Sequence, residues 1–80
     1  MSYTQDHIRI KNAITDEIAR GALSVDLNEF SKKLEMDPRT VKNHFDIMEM
    51  DGFGMFVNDK KTVFCPKNAV KKMLRKLEGE

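Results

Sequence analysis

Apolar side chains recur at helical spacing near the start of the chain. Ile10, Ala13, Ile14 and Ile18 fall on one stripe, and Gly21 follows as a stop signal. The pattern predicts a helix from Thr4 or Asp6 to Arg20. Ile8 lies off that stripe and shares another face with Ala19, so it is either a surface apolar residue or part of a partner contact. Ala22-Leu23-Ser24-Val25 reads as a connector with room for a very short strand. Helix-start signals follow: Asp26 suits an N-cap, Glu29 stands three residues on as in a capping box, and Val25 and Phe30 occupy the two positions of a hydrophobic staple. The second helix should turn Leu27, Phe30, Ser31 and Leu34 inward and Asn28, Glu29, Lys32 and Lys33 to water.

Only Glu35 and Met36 separate that helix from the next start, where Asp37 can cap a helix whose first residue is Pro38. This third helix continues to Met50 with Val41, Phe45 and Met48 inward, and Asp51-Gly52 ends it. The period then changes. Met55-Phe56-Val57 and Thr62-Val63-Phe64-Cys65 favour strands, and the polar Asn58-Asp59-Lys60-Lys61 between them predicts a four-residue hairpin loop. Pro66 closes the second strand. Beyond it, Val70, Met73, Leu74 and Leu77 mark an amphipathic helix with Lys71, Lys72, Arg75 and Lys76 on its other face.

These elements predict an α+β domain: three helices, a two-stranded β-hairpin and a carboxy-terminal helix. With 80 residues, 40% of them hydrophobic and 34% charged, the chain is expected to form one domain over 1–80. The helix pair occupies 26–50, the hairpin 54–65 and the last helix 67–78. No basic segment followed by an apolar run opens the chain, and no apolar stretch approaches the ~20 residues of a membrane span. A cytoplasmic protein without membrane contact is therefore expected. The net charge of +1 is unevenly spread: residues 1–30 carry three basic and five acidic groups, 31–51 four and five, and 52–80 seven and three. The positive end is carboxy-terminal.

Catalytic and metal motifs are missing. The chain has no Gly-rich phosphate loop, HExxH, CxxC or Gly-x-Ser-x-Gly, so neither an enzyme nor a bound cofactor is expected, and no small-molecule ligand is evident. His7 and His44 lack a second ligand at metal-binding spacing, and no metal site is expected; His44, where a helix flank meets the core, reads as structural. Cys65 is the single cysteine, which rules out a disulfide within the chain and favours a small buried thiol.

The stretch from Leu27 to Phe53 resembles the helix-turn-helix of the MarR, ArsR and Lrp types of prokaryotic transcriptional regulators. Thr40-Val41 stands where those families open the recognition helix, and Met48-Glu49-Met50-Asp51-Gly52-Phe53 matches their Leu-Glu-x-x-Gly-aliphatic approach to the wing. With the hairpin included, the resemblance covers about two-thirds of the chain. It implies a winged helix-turn-helix that binds double-stranded DNA as a prokaryotic or viral transcription regulator. The helix 38–50 would enter the major groove, and the hairpin tip 58–61 would reach the backbone or minor groove. Carried over residue by residue, it assigns Arg39 to a guanine and Asn43 to an adenine, Thr40 and Lys42 to phosphates, and Lys60 and Lys61 to the flanking backbone.

The same residues carry departures from the pattern. Glu35 occupies the place where these turns usually have glycine, Asp46 sits on the reading face four residues after Lys42, and Glu49 lies close by. With five acids and four bases across 31–51, useful DNA affinity is expected to need a homodimer. The competing expectation is a winged helix that serves as a protein-interaction module. Ile8, Ile47, Met50 and one face of the hairpin are its candidate surface, because Met55, Phe56, Val57, Val63 and Phe64 cannot all point to one side.

Overall fold

The structure is a computed structural model that describes residues 3–77 and 79. Its elements are α1 (Tyr3–Ala19), β1 (Val25–Asp26), α2 (Leu27–Leu34), α3 (Pro38–Met50), β2 (Gly54–Phe56), β3 (Val63–Pro66) and α4 (Lys67–Leu77). Among the described residues this is an α+β arrangement of four helices and an antiparallel sheet in the order β1-β3-β2. The sheet has three strands, not the two of the hairpin alone. Val25 pairs with Phe64 and Asp26 with Val63, and the Leu27 amide donates to the Thr62 carbonyl at 2.7 Å, so the start of α2 is tied to the sheet edge.

Both anticipated helix caps form. The Asp26 carboxylate accepts from the Glu29 amide at 3.1 Å, and the Asp37 carboxylate accepts from the Arg39 amide at 2.8 Å with Pro38 at the first helical position. All four predicted inward residues of α2 are buried, including Ser31, whose hydroxyl donates to the Leu27 carbonyl at 2.7 Å. Val41, Phe45 and Met48 of α3 are fully buried.

Helices α2 and α3 end in the same hydrogen-bond pattern built from different residues. After α2, the Glu35 and Met36 amides reach the Lys32 and Ser31 carbonyls at 3.1 and 3.0 Å; after α3, the Gly52 and Phe53 amides reach the Glu49 and Met48 carbonyls at 3.1 and 2.9 Å. Each turn requires one left-handed residue. Gly52 supplies it freely at φ 81°, whereas Glu35 adopts φ 56° with a side chain in place, at a cost of about 1–2 kcal/mol. Arg9 of α1 reinforces the strained turn by donating to the Leu34 carbonyl at 2.7 Å.

The core gathers Ile10 and Ile14 of α1, the inward faces of α2 and α3, and Val25, Phe56 and Phe64 of the sheet. Strand alternation sends Phe56 and Phe64 toward the helices, where both rings meet Phe45. The opposite face carries Met55 and Cys65, which pair across the ladder. Here the strands shift by one residue from the predicted 55–57 and 62–65, because the Asn58 carboxamide accepts from the Thr62 and Val63 amides at 3.0 Å each and draws Thr62 into the loop.

The expected packing of α4 also needs correction. Because α4 begins directly after Pro66, its first turn lies on the hairpin, and Ala69 rather than a large residue is the fully buried contact. Val70 and Met73 are half-buried, Leu74 is 51% exposed, and the predicted Lys76 and Leu77 contributions lie outside the described side chains.

Gly54 matters for space rather than for backbone freedom. A Cβ there would meet the Cys65 carbonyl oxygen at 2.6 Å and the Phe64 ring at 2.7 Å. Gly54→Ala must displace either the ladder or the ring at the centre of the core. We expect it to lower unfolding free energy by about 1–3 kcal/mol in urea titration; a loss below a few tenths of a kcal/mol would contradict this packing.

Candidate nucleic-acid interface

Helix α3 owes its position to one apolar stripe. Val41, His44, Phe45 and Met48 are buried, which leaves Arg39 and Asn43 exposed on the opposite side with Thr40 and Lys42 half-buried at its edge. All four predicted α3 contacts therefore share the outward half of the helix.

Two of these cations are held by neighbouring acids. The Arg39 guanidinium folds back onto the Asp37 carboxylate, with Nη2 to Oδ2 at 3.1 Å and Nε to Oδ1 at 3.3 Å. Hydrogen bonding from Arg39 holds Asp37 below the ordinary carboxylate range, and the same contact raises the already high value of Arg39. Lys42 Nζ stands 3.6 Å from Asp46 Oδ2 at the expected i, i+4 spacing. Both pairs are solvent-exposed and open readily. Asn43 lies beside them with its amide exposed.

Lys60 and Lys61 stand exposed at the hairpin tip. The loop that carries them is held by Asn58. Its carbonyl accepts from the Lys61 amide at 3.1 Å, and its side chain donates to the Thr62 hydroxyl at 2.7 Å in addition to accepting the two amides already described. Lys61 takes the left-handed position at φ 56°. The first hairpin strand joins α3 through Glu49, whose Oε2 accepts from the Phe56 amide at 3.3 Å. Glu49, expected only as an acid near the reading face, thus connects α3 to β2.

Comparison with protein-family models, curated proteins and solved structures finds no match. Among the described residues no helix is long and apolar enough to cross a membrane, and no three His, Cys, Asp or Glu side chains could hold a metal. Cys65 is buried, its thiol donates to the Leu23 carbonyl at 3.2 Å, and burial pushes its pKa up.

Three contacts at this site had weak sequence signals. Asp37 was legible as a cap but not as the partner of Arg39, although a two-residue separation across a helix start permits both. Asn58 was legible as a turn residue but not as the acceptor of two amides. The third joins α1 to the inner flank of α3: His7 Nδ1 and His44 Nδ1 lie 3.0 Å apart with ring centroids at 5.2 Å. The two histidines are 37 residues apart in the chain, so only the fold brings them together.

The His7–His44 bond needs one nitrogen to donate and the other to accept, so it cannot form with both rings protonated. Burial, and then the His7 charge, push the His44 pKa below its ordinary 6.5, while Asp6 pulls it up. With a depressed folded pKa, the unfolded chain takes up the proton first. The contribution is full above pH 6.5 and is lost as pH falls from there toward the lower folded value. Glu17 and Asp37 also have lowered values and stay ionised over this window. We expect the urea midpoint to fall between about pH 7.5 and 5.5, and His44→Gln to flatten that decline. An equal slope in the variant would contradict the assignment.

Proposed function

We propose that the domain is a winged helix-turn-helix that binds double-stranded DNA as a transcription regulator. It acts by occupying a short site, with α3 in the major groove and the 58–61 loop on the adjacent backbone or minor groove. The element order α1-β1-α2-α3-β2-β3, the sheet order β1-β3-β2 and the three-residue turn between α2 and α3 support the fold assignment. The observation that carries the functional reading is the division of α3: one side buries Val41, His44, Phe45 and Met48, and the other presents Arg39, Thr40, Lys42 and Asn43 together. Arginine and asparagine can each make two hydrogen bonds to a base edge, to guanine and adenine respectively.

Charge sets the affinity. Lys42, Lys60 and Lys61 are the phosphate contacts of one copy, so a slope of log K against log salt of about −3 per copy follows. That is a weak electrostatic hold, and two copies on neighbouring half-sites would double it, which is the reason to propose a homodimer. The Asp37–Arg39 and Lys42–Asp46 pairs must open on binding, so non-specific duplex gains little, and a site offering a guanine to Arg39 repays the opening.

Titration against random duplex at rising salt tests the reading. Binding at low salt should weaken with salt, and a Lys42→Ala, Lys60→Ala double variant should lose about 2 from the slope per copy. Asn43→Ala should relax sequence preference without altering the slope. Asp37→Asn keeps the cap acceptor but releases Arg39, and it should tighten binding. Absence of binding at low salt, or an unchanged slope in the double variant, would overturn the proposal and leave a protein-interaction module as the better reading.

A further inference from the structure

We infer that the seam between the hairpin and α4 is a docking trough for an acidic amphipathic helix of a partner protein. The trough lies on the sheet face turned away from α3, so the proposal stands apart from DNA binding. Strand alternation puts Phe56 and Phe64 on the α3 side and Met55 and Cys65 on the other, where α4 packs on the hairpin and both Cys65 and Ala69 are fully buried. Coverage then stops. Met55, Val57 and Leu74 remain 46, 42 and 51% exposed.

These side chains line a continuous depression rather than scattered surface. A cleft of about 650 Å³ at the start of α4 contains Gly54, Met55, Lys67, Val70 and Lys71. A second, of about 340 Å³, shares Met55 and Val70 with it and runs on past Val57, Met73 and Leu74 to Asp59. From Gly54 to Val57 the chain covers about 10 Å, the length of roughly two helical turns.

The rim identifies the occupant. From Lys67 to Leu77 the sequence of α4 contains no acidic residue, and Lys67, Lys71, Lys72 and Arg75 stand exposed along it. An apolar floor offers nothing to a phosphate or a base edge. It suits apolar side chains at i, i+3, i+4 and i+7, and the lysines beside it suit carboxylates on the flank of the same helix. A second copy of this seam fits poorly, because a two-fold contact would set the bases of both α4 helices against each other. A bilayer is flat on this scale, whereas the seam is concave.

The test uses a fluorescein-labelled peptide of about 14 residues with leucine at i, i+3, i+4 and i+7, glutamate on the two flanks of that stripe and alanine elsewhere, and a scrambled peptide of the same composition. The patterned peptide should bind at least about tenfold more tightly than the scrambled one by anisotropy. Leu74→Glu and Lys71→Glu, both at exposed positions, should each weaken it about tenfold while circular dichroism and melting stay unchanged. Equal binding of the scrambled peptide, or no loss in either variant, would overturn the proposal. So would binding of Leu74-dependent phosphatidylglycerol vesicles in place of the peptide, or a sedimenting dimer that Leu74→Glu dissociates.

Discussion

The stacked rings of Phe45 and Phe64, 4.8 Å between centroids, are the contact on which the rest of the arrangement depends. Phe45 comes from the middle of α3 and Phe64 from the central strand of the sheet, and the same Phe45 ring also meets Phe30 of α2 at 6.0 Å and Phe56 of β2 at 6.2 Å. One side chain therefore touches three other elements. A buried phenylalanine of this kind is worth about 3–5 kcal/mol over alanine, comparable with the whole stability margin of a small domain. Gly54 belongs to the same arrangement, since the Phe64 ring occupies the space its side chain would need. Fixing Phe45 fixes the rotation of α3 about its axis, and that rotation decides that Arg39 and Asn43 face outward.

The perimeter of α3 is set by polar contacts that work with this core. Asp37 starts the helix, Gly52 ends it, Glu49 bonds it to β2 and His44 ties its inner flank to α1. Glu35 shows the opposite balance, because a left-handed glutamate is held in place by the tight turn that brings α2 and α3 together. The strain is local, and the Arg9 bond to Leu34 offsets part of it.

Much of this could be read from the chain because it follows from local rules. The caps at Asp26 and Asp37, the inward faces of α2 and α3 and the Lys42–Asp46 pair depend on residues within four positions of one another. The unread features depend on distance or on volume. The third strand is only Val25-Asp26 long and exists because β3 accepts it; the histidine pair and the Arg9 contact join remote segments; and α4 buries the small Ala69 completely while Leu74 stays exposed, which hydrophobic spacing alone does not reveal. At the candidate interface, residue types and helix face were legible. The Asp37 carboxylate that holds Arg39 and the loop order imposed by Asn58 became visible only in three dimensions.

In the proposed function the outward half of α3 and the hairpin tip act as one DNA-binding surface. Backbone amide chemical shifts of the nitrogen-15-labelled protein, followed as a short duplex is added at low salt, are the decisive measurement. The largest changes should cluster at Arg39, Thr40, Lys42, Asn43, Lys60 and Lys61. Changes confined to the α4 seam, or none at saturating duplex, would contradict it.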